Sequence, residues 1–185
     1  MAKDKDEVVD QNADYTKESE LKALCTAWPL VTDHKVQTEV LIQLSCTEFH
    51  EKYLADDAEF GFDKFLEQKG ELNINMTQWA DPSPDDTQAT TLAATKQKRV
   101  KVDVQIKNNA FVKQAPTTKT FNLIQKTDTL IKMRIVNKTT DVPYCDSFAV
   151  EEEWTIGSLP NAKSCVLRVT MGIVWYKSTM MKSII

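Results

Sequence analysis

The sequence predicts an α+β fold in which one curved antiparallel sheet surrounds a C-terminal helix. Three observations support this prediction. Helical spacing of apolar residues occurs early in the chain, a long series of segments then alternates apolar with polar residues, and an apolar stripe at helical spacing ends the sequence. Strict alternation is typical of antiparallel strands with one buried and one solvated face. Because such a sheet must be covered on its apolar face, we expect the helices to lie there.

The composition fits a single domain and excludes several kinds of site. The chain has 185 residues, of which 42% are hydrophobic, and its net charge is −4. With only 4 Gly, a Gly-rich phosphate loop is excluded, and with only 2 His there is little room for metal or triad chemistry. No apolar run has the length of a membrane span. Four widely spaced cysteines, expected to be reduced thiols, are Cys25, Cys46, Cys145 and Cys165.

Charge is distributed unevenly along the chain. Residues 1–90 carry 8 basic and 20 acidic residues, whereas residues 91–185 carry 15 basic and 7 acidic residues. Within 96–138 there are 11 basic residues and only 2 acidic ones. Two interpretations stay open: a solvated face of the sheet, or a surface for an anionic partner.

The first part of the chain is expected to hold a tail, one strand and two short helices. Residues 1–22 are acidic and lack apolar periodicity, which predicts a disordered tail before a domain at 23–185. A first strand is predicted near 36–45. Ser45 and Glu48 then have the spacing of a capping box, which begins a helix. Asp57 is the expected cap of a second helix, and Gly70 is its expected stop.

Alternating strands follow, and the chain ends on a helix. The alternating segments are 72–76, 99–106, 121–123, 131–135, 148–156 and 165–175. From Ser178 the apolar residues follow helical spacing. The sequence stops in the middle of that apolar face, so we expect this helix to be truncated. A sheet curling around a terminal helix is the helix-grip architecture, which can enclose an apolar cavity.

The segment DVPYCDSF at 141–148 is the most specific motif of the sequence. It is similar to the D-V-P-Y-x-D-x-F signature of the VASt (Aster) domain, a START-like family. Residues 49–57 and 62–70 with Trp79 resemble its opening helices and second strand. Lys98-Arg99-Val100 resembles the strand before its lid loop, and 175–185 resembles its closing strand and helix. The resemblance covers 36–185.

The resemblance implies a START-like domain that holds one sterol of the cholesterol, ergosterol or phytosterol class and catalyses no reaction. It also implies a parent protein with a GRAM domain before this module and a membrane anchor after it. Such a protein acts on the cytosolic face of the endoplasmic reticulum, at contacts with the plasma membrane. The present chain would be a soluble, monomeric fragment. No cofactor, metal or catalytic residue is expected.

The alternating apolar residues form either a plain core or a ligand cavity, and periodicity alone does not distinguish the two. Five of the 6 Met lie in this pattern or in the terminal stripe, and Met adapts to irregular apolar shapes. One polar group should orient the sterol hydroxyl, for which the candidates are Lys101, Gln105 and Gln125. The candidate ligand-binding residues are Met76, Val102, Val104, Phe111, Val112, Phe121, Leu123, Met133, Phe148, Trp154, Val169, Met171, Ile173 and Met181.

Phe111 and Val112 form an apolar pair in a polar segment and have two interpretations. They either anchor the segment in the core or form the tip of a lid that enters a membrane. Nearby basic residues favour the lid, because each basic residue close to an anionic bilayer contributes about 1 kcal/mol. The expected membrane-docking residues are Lys107, Lys113 and Lys119.

Other functions on the same frame stay open at this stage. A helix-grip domain can serve as a small-molecule hydrolase or cyclase, but an enzyme would need a His or paired acids on the apolar face. A lipid sensor without transfer activity is another alternative. Nucleic-acid binding is not expected, because the basic strands lack the exposed aromatic pairs that stack on bases.

Overall fold

Seven alternating segments form one antiparallel sheet. The computed structural model describes residues 11–84, 91–106, 113–160 and 163–177. The strands are β1 (Lys35–Ile42), β2 (Leu72–Met76), β3 (Lys96–Gln105), β4 (Gln114–Lys126), β5 (Leu130–Thr139), β6 (Phe148–Ser158) and β7 (Cys165–Trp175). Their order across the sheet is β1-β7-β6-β5-β4-β3-β2. This curved, open sheet with a few short helices confirms the predicted α+β class and is consistent with a START-like helix-grip fold. The helix predicted from Ser178 lies outside the described residues.

The two short helices lie between β1 and β2, as predicted. The first, α2 (Cys46–Phe49), continues into a π-helical turn (His50–Leu54), and α3 (Phe62–Gln68) follows. The capping box is confirmed: the Glu48 amide donates to Ser45 Oγ at 3.2 Å, and the Ser45 amide donates to Glu48 Oε2 at 2.8 Å. Gly61 rather than Asp57 precedes α3, so the predicted cap was wrong. Gly70, at φ 78°, ends the helix because this left-handed conformation favours glycine.

A helix, α1 (Gln11–Ala27), occupies part of the segment predicted to be a disordered tail. The structure thus has a helix where the sequence suggested none, while residues 1–10 lie outside the described residues. The reason is an apolar stripe at i, i+3, i+4 and i+7, formed by Leu21, Leu24, Cys25 and Trp28. It packs against Leu41, Leu159 and Val166. Arg168 secures the end of α1 by donating to the carbonyls of Cys25 (2.7 Å) and Trp28 (3.0 Å).

The main core lies on the other, concave face of the sheet. Val100, Ile131, Met133, Ile135 and Ile156 point to this face and are almost completely buried. The helices between β1 and β2 cover them in part, through residues that include Phe49, Leu54 and Leu66. Phe62 meets Phe121 edge to face, with ring centroids 5.0 Å apart. Helix α1 and the short helices thus occupy opposite faces of the same sheet.

The two histidines predict how stability depends on pH. Burial lowers the pKa of His34 and Arg134 adds to this effect, while Glu153 and Asp33 oppose it. Burial also lowers the pKa of His50, and Lys126 adds to it. The unfolded chain therefore binds more protons than the folded chain in mildly acidic solution. We expect the free energy of unfolding to fall as the pH is lowered from about 7 to about 6, and the Cys46 thiol, whose pKa is lowered to about 7, adds to this fall.

Urea denaturation at both pH values measures this dependence. His34 Nδ1 lies 3.1 Å from Thr170 Oγ1, and a glutamine can keep that hydrogen bond without titrating. His34→Gln should therefore reduce the pH dependence while the fold is retained. An unchanged dependence in the variant would contradict the assignment to His34.

Candidate functional site

A cavity of about 840 Å³ lies between the short helices and the concave face of the sheet. Its volume is within the range of about 300–1,000 Å³ that is common for small-molecule sites. The helical side contributes mainly aromatic and aliphatic side chains, and the sheet contributes side chains from its central strands. The apolar lining residues are Ile42, Phe49, Tyr53, Leu54, Phe60, Phe62, Phe65, Phe121, Trp154 and Leu167.

Neighbouring aromatic rings form the helical wall of this cavity. The Phe49 and Tyr53 ring centroids are 5.0 Å apart, and those of Tyr53 and Phe60 are 5.9 Å apart. The π-helical turn brings the Ala55 amide to the His50 carbonyl at 2.9 Å, and the chain leaves the helix at that point. Phe60 and Phe65 are 52% and 47% exposed, although both line the cavity. The aromatic wall therefore extends to the protein surface.

An ion pair between a buried lysine and a half-buried aspartate attaches this wall to the sheet. Lys98 Nζ lies 2.7 Å from Asp56 Oδ1, and the Lys98 side chain is only 6% exposed. The same ammonium group lies 5.2 Å from the Trp79 ring centroid. Trp79 Nε1 donates to the Leu54 carbonyl at 2.7 Å, at the end of the π-helical turn. These contacts fix the position of the wall relative to β3.

A hydrogen-bonded polar cluster lies on the sheet side of the cavity, whereas the polar lining residues on the helical side are Glu59, Lys64, Gln68 and Lys69. Lys119 Nζ donates to Asn137 Oδ1 at 2.8 Å, and Asn137 Nδ2 donates to Glu152 Oε1 at 3.0 Å. Trp154 Nε1 donates to the other carboxylate oxygen of Glu152, also at 3.0 Å. Burial lowers the pKa of Lys119, and the charge of Glu152 opposes this effect. We call the four hydrogen-bonded residues on the sheet side the Lys119–Glu152 cluster; it offers both a donor and an acceptor to a bound molecule.

Comparison with known protein families matches residues 36–185 to VASt, described as the VAD1 Analog of StAR-related lipid transfer domain. The chain belongs to the VASt family. The match confirms the resemblance drawn from the DVPYCDSF segment. Comparison with curated proteins gave no match. The VASt match begins after α1, so the helix on the outer face precedes the part of the chain that defines the family.

Only some of the residues predicted to bind the ligand line the cavity of this VASt domain. Phe121 and Trp154 line the cavity. The remaining described candidates are not among the lining residues: Val102, Leu123, Met133 and Val169 are buried, whereas Met76, Val104, Phe148, Met171 and Ile173 are half-buried. Phe111, Val112 and Met181 lie outside the described residues.

The polar candidates occupy different positions from those expected. Lys101 and Gln125 are exposed and Gln105 is half-buried, and none of the three lines the cavity. Lys119, expected at the membrane surface, lines the cavity instead because its position on β4 shares a face with Phe121. Lys113 is exposed, and Lys107 lies outside the described residues.

Sequence reasoning missed most of the polar cluster and the aromatic wall. A signal for Glu152 existed, because alternation places it on the same face as Trp154. Despite this charged residue on the inner face, β6 keeps a regular register with both neighbours. Glu152 is accommodated because Asn137 and Trp154 donate hydrogen bonds to it. The aromatic spacing within 49–65 was visible, but it did not show that these rings face a cavity.

The described residues provide neither a metal site nor a membrane-spanning helix. Within them, no group of three or more His, Cys, Asp or Glu side chains is arranged to hold a metal ion. No helix in that part of the VASt chain combines the length and apolar character needed to cross a membrane.

Proposed function

We propose that this VASt domain binds one sterol non-covalently in the cavity and transfers it between membranes. The observation that supports this function is a cavity of about 840 Å³ whose lining is mainly apolar and whose sheet side carries a hydrogen-bonded polar cluster. Burial of roughly 400 Å² of sterol surface, at ~25 cal/mol per Å², gives a gross driving force of about 10 kcal/mol. The proposal requires no chemical step, and the family description as a lipid transfer domain supports it.

The Lys119–Glu152 cluster is the proposed site for the sterol hydroxyl. A hydroxyl buried in an apolar cavity needs a hydrogen-bond partner, since leaving it unpaired is costly. Lys119 can donate to it and Glu152 can accept from it, so the group is satisfied in both roles. The cluster would therefore determine which end of the sterol enters first, while the aromatic wall contacts the rings.

The first test is a fluorescent-sterol titration of two matched lysine variants. Lys119→Met keeps the length of the side chain but removes the donor, and we expect about tenfold weaker binding for the loss of one hydrogen bond. Lys101→Met, in the neighbouring strand but exposed, is the control and should bind as the parent protein does. The loss should disappear with a 3-deoxy sterol, which has no oxygen to accept a hydrogen bond from Lys119.

Two results of this titration would count against the proposal. A folded parent protein without a saturable signal would contradict sterol binding itself. Equal losses in Lys119→Met and Lys101→Met would contradict the position of the hydroxyl while leaving sterol binding intact.

The proposed setting is the cytosolic face of the endoplasmic reticulum at contacts with another membrane, where the domain acts as a monomer.

Sterol transfer between vesicles distinguishes a protein that carries sterol from a protein that only senses it. We expect faster transfer when the vesicles contain anionic lipid, and a smaller gain at high salt, because the basic part of the chain is attracted to that surface. Saturable binding without transfer would instead support the sensor.

A further inference from the structure

We propose that Cys46 and Cys165 are a peroxide-sensitive thiol pair whose disulfide ties the helical wall of the cavity to β7. The effect on the cavity rests on the proposed lipid-binding function, whereas formation of the disulfide does not. All four cysteines are free thiols in the structure. Cys46 and Cys165 have no exposed surface and belong to the same core cluster.

The two thiols meet where α2 touches the sheet. Ser158 Oγ donates to Cys46 Sγ at 3.2 Å, and Ser158 is the direct cross-strand partner of Cys165. Cys46 Sγ lies 3.6 Å from the Ile156 carbonyl, on the same strand as Ser158. Ser158 therefore contacts Cys46 directly and pairs with Cys165 across the strands, so the two cysteines share one neighbour.

The environment makes the two thiols unequal. Hydrogen bonds from Cys165 and Ser158 lower the pKa of Cys46 to about 7, although burial opposes this effect. The pKa of Cys165 is raised by its interaction with Cys46 and by burial. Because the Ser158 hydroxyl also donates to Cys46 Sγ and stabilises a thiolate there, we assign Cys46 as the attacking thiolate and Cys165 as the resolving thiol. By contrast, burial and the charge of Glu39 raise the pKa of Cys25 to about 11, so this thiol is a poor nucleophile.

The oxidant required is a peroxide. The Cys46 thiolate attacks one peroxide oxygen, the O–O bond breaks, and the leaving hydroxide takes up a proton to become water. The resulting sulfenic acid is attacked at sulfur by Cys165, which forms the S–S bond and expels a second hydroxide. That hydroxide takes the Cys165 proton and leaves as water. Two thiols lose two electrons in total, and hydrogen peroxide is reduced to two water molecules.

The position of Cys46 links this modification to the cavity. Cys46 is the first residue of α2, and three cavity-lining residues, Phe49, Tyr53 and Leu54, follow it within the next eight positions. A helix of four residues has little stability of its own, so its first turn can open and admit a small oxidant. Once formed, the disulfide would hold this turn against β7 and restrict movement of the aromatic wall. Sterol uptake should then become slower.

The experiment uses the full chain with Cys145→Ser, which removes the half-buried thiol outside the pair. The protein is treated with hydrogen peroxide, free thiols are alkylated, and it is digested without reductant. We expect a linked peptide containing Cys46 and Cys165 that dithiothreitol separates. The melting temperature should rise by about 5–10 °C on oxidation. Uptake of a fluorescent sterol from vesicles should become several-fold slower and recover on reduction.

Cys165→Ser in the same background is the matched control. The serine keeps a hydrogen-bonding group beside Cys46 but cannot form a disulfide. Peroxide should therefore change neither the melting temperature nor the sterol uptake of this variant. Absence of the linked peptide in Cys145→Ser would overturn the thiol pair. A linked peptide with unchanged uptake would overturn its effect on the wall. If the reduced protein takes up no sterol, the proposed function fails, while the peptide and melting data still decide the disulfide.

Discussion

Asp56→Ala is expected to lower the free energy of unfolding by about 3–5 kcal/mol, as measured by urea denaturation. The substitution leaves the ammonium group of Lys98 in a site where its side chain is only 6% exposed. An unpaired buried charge costs far more than the net gain that the ion pair contributed, because desolvation is no longer compensated. The Trp79 amide also loses its acceptors, since it donates to both Asp56 carboxylate oxygens at 3.0 and 3.2 Å.

A second ion pair from the same strand is the matched control. Lys96 Nζ and Asp81 Oδ1 lie 2.8 Å apart, but their side chains are 47% and 84% exposed. Asp81→Ala should therefore change the free energy of unfolding by less than about 1 kcal/mol. The double variant Asp56→Ala/Lys98→Met should recover part of the lost free energy of unfolding, because it also removes the unpaired ammonium group. Similar losses in both single variants would contradict the role assigned to burial.

The aromatic wall also depends on this ion pair. Asp56 and Trp79 hold the end of the π-helical turn, and that turn carries Tyr53 and Leu54 into the cavity. Even where the Asp56→Ala protein remains folded, the wall should be less well fixed. Sterol affinity is then expected to fall together with stability, whereas the Asp81→Ala protein should retain both.

Local sequence signals predicted the elements that depend on near neighbours. Alternation placed the last strand at 165–175, where the structure has β7 (Cys165–Trp175). The Ser45 and Glu48 pair gave the start of α2, because a capping box is a contact between residues three positions apart. The face of each strand side chain follows from the same two-residue period. These features could be predicted without knowledge of the tertiary contacts.

Features that depend on distances between elements could not be predicted in the same way. A strand pattern shows which side chains face inward, but the space above them depends on how closely the helices approach the sheet. Phe121 and Leu123 are both buried on the same face of β4, yet of these two only Phe121 lines the cavity. Helix α1 was missed because the abundance of acidic residues concealed the short stripe from Leu21 to Trp28. The position of α1 on the sheet also requires Gly157, because a Cβ atom at this residue would overlap the Trp28 ring.

Met133→Ala is expected to cost about 2–5 kcal/mol of folding free energy and to leave sterol affinity nearly unchanged. The sequence placed Met133 among the ligand-binding residues, but in the structure it is fully buried and does not line the cavity. It lies between Leu123 and Trp154 in the register of the sheet, where three strands meet in the core. Truncation leaves a void among well-packed neighbours, and these neighbours can relax only in part.

Phe65→Ala should give the opposite result. Its ring is 47% exposed yet lines the cavity, and its contacts include Phe62 at 5.8 Å between centroids and the Lys69 ammonium at 5.1 Å. Removing it takes little from the core but removes apolar surface from the ligand site. Thermal denaturation and sterol titration of both variants separate core from wall. Truncation of a residue that belongs only to the core should lower stability without weakening sterol binding in the folded protein. Weaker sterol binding by Met133→Ala, measured at a temperature where the variant is fully folded, would therefore show that Met133 contacts the ligand.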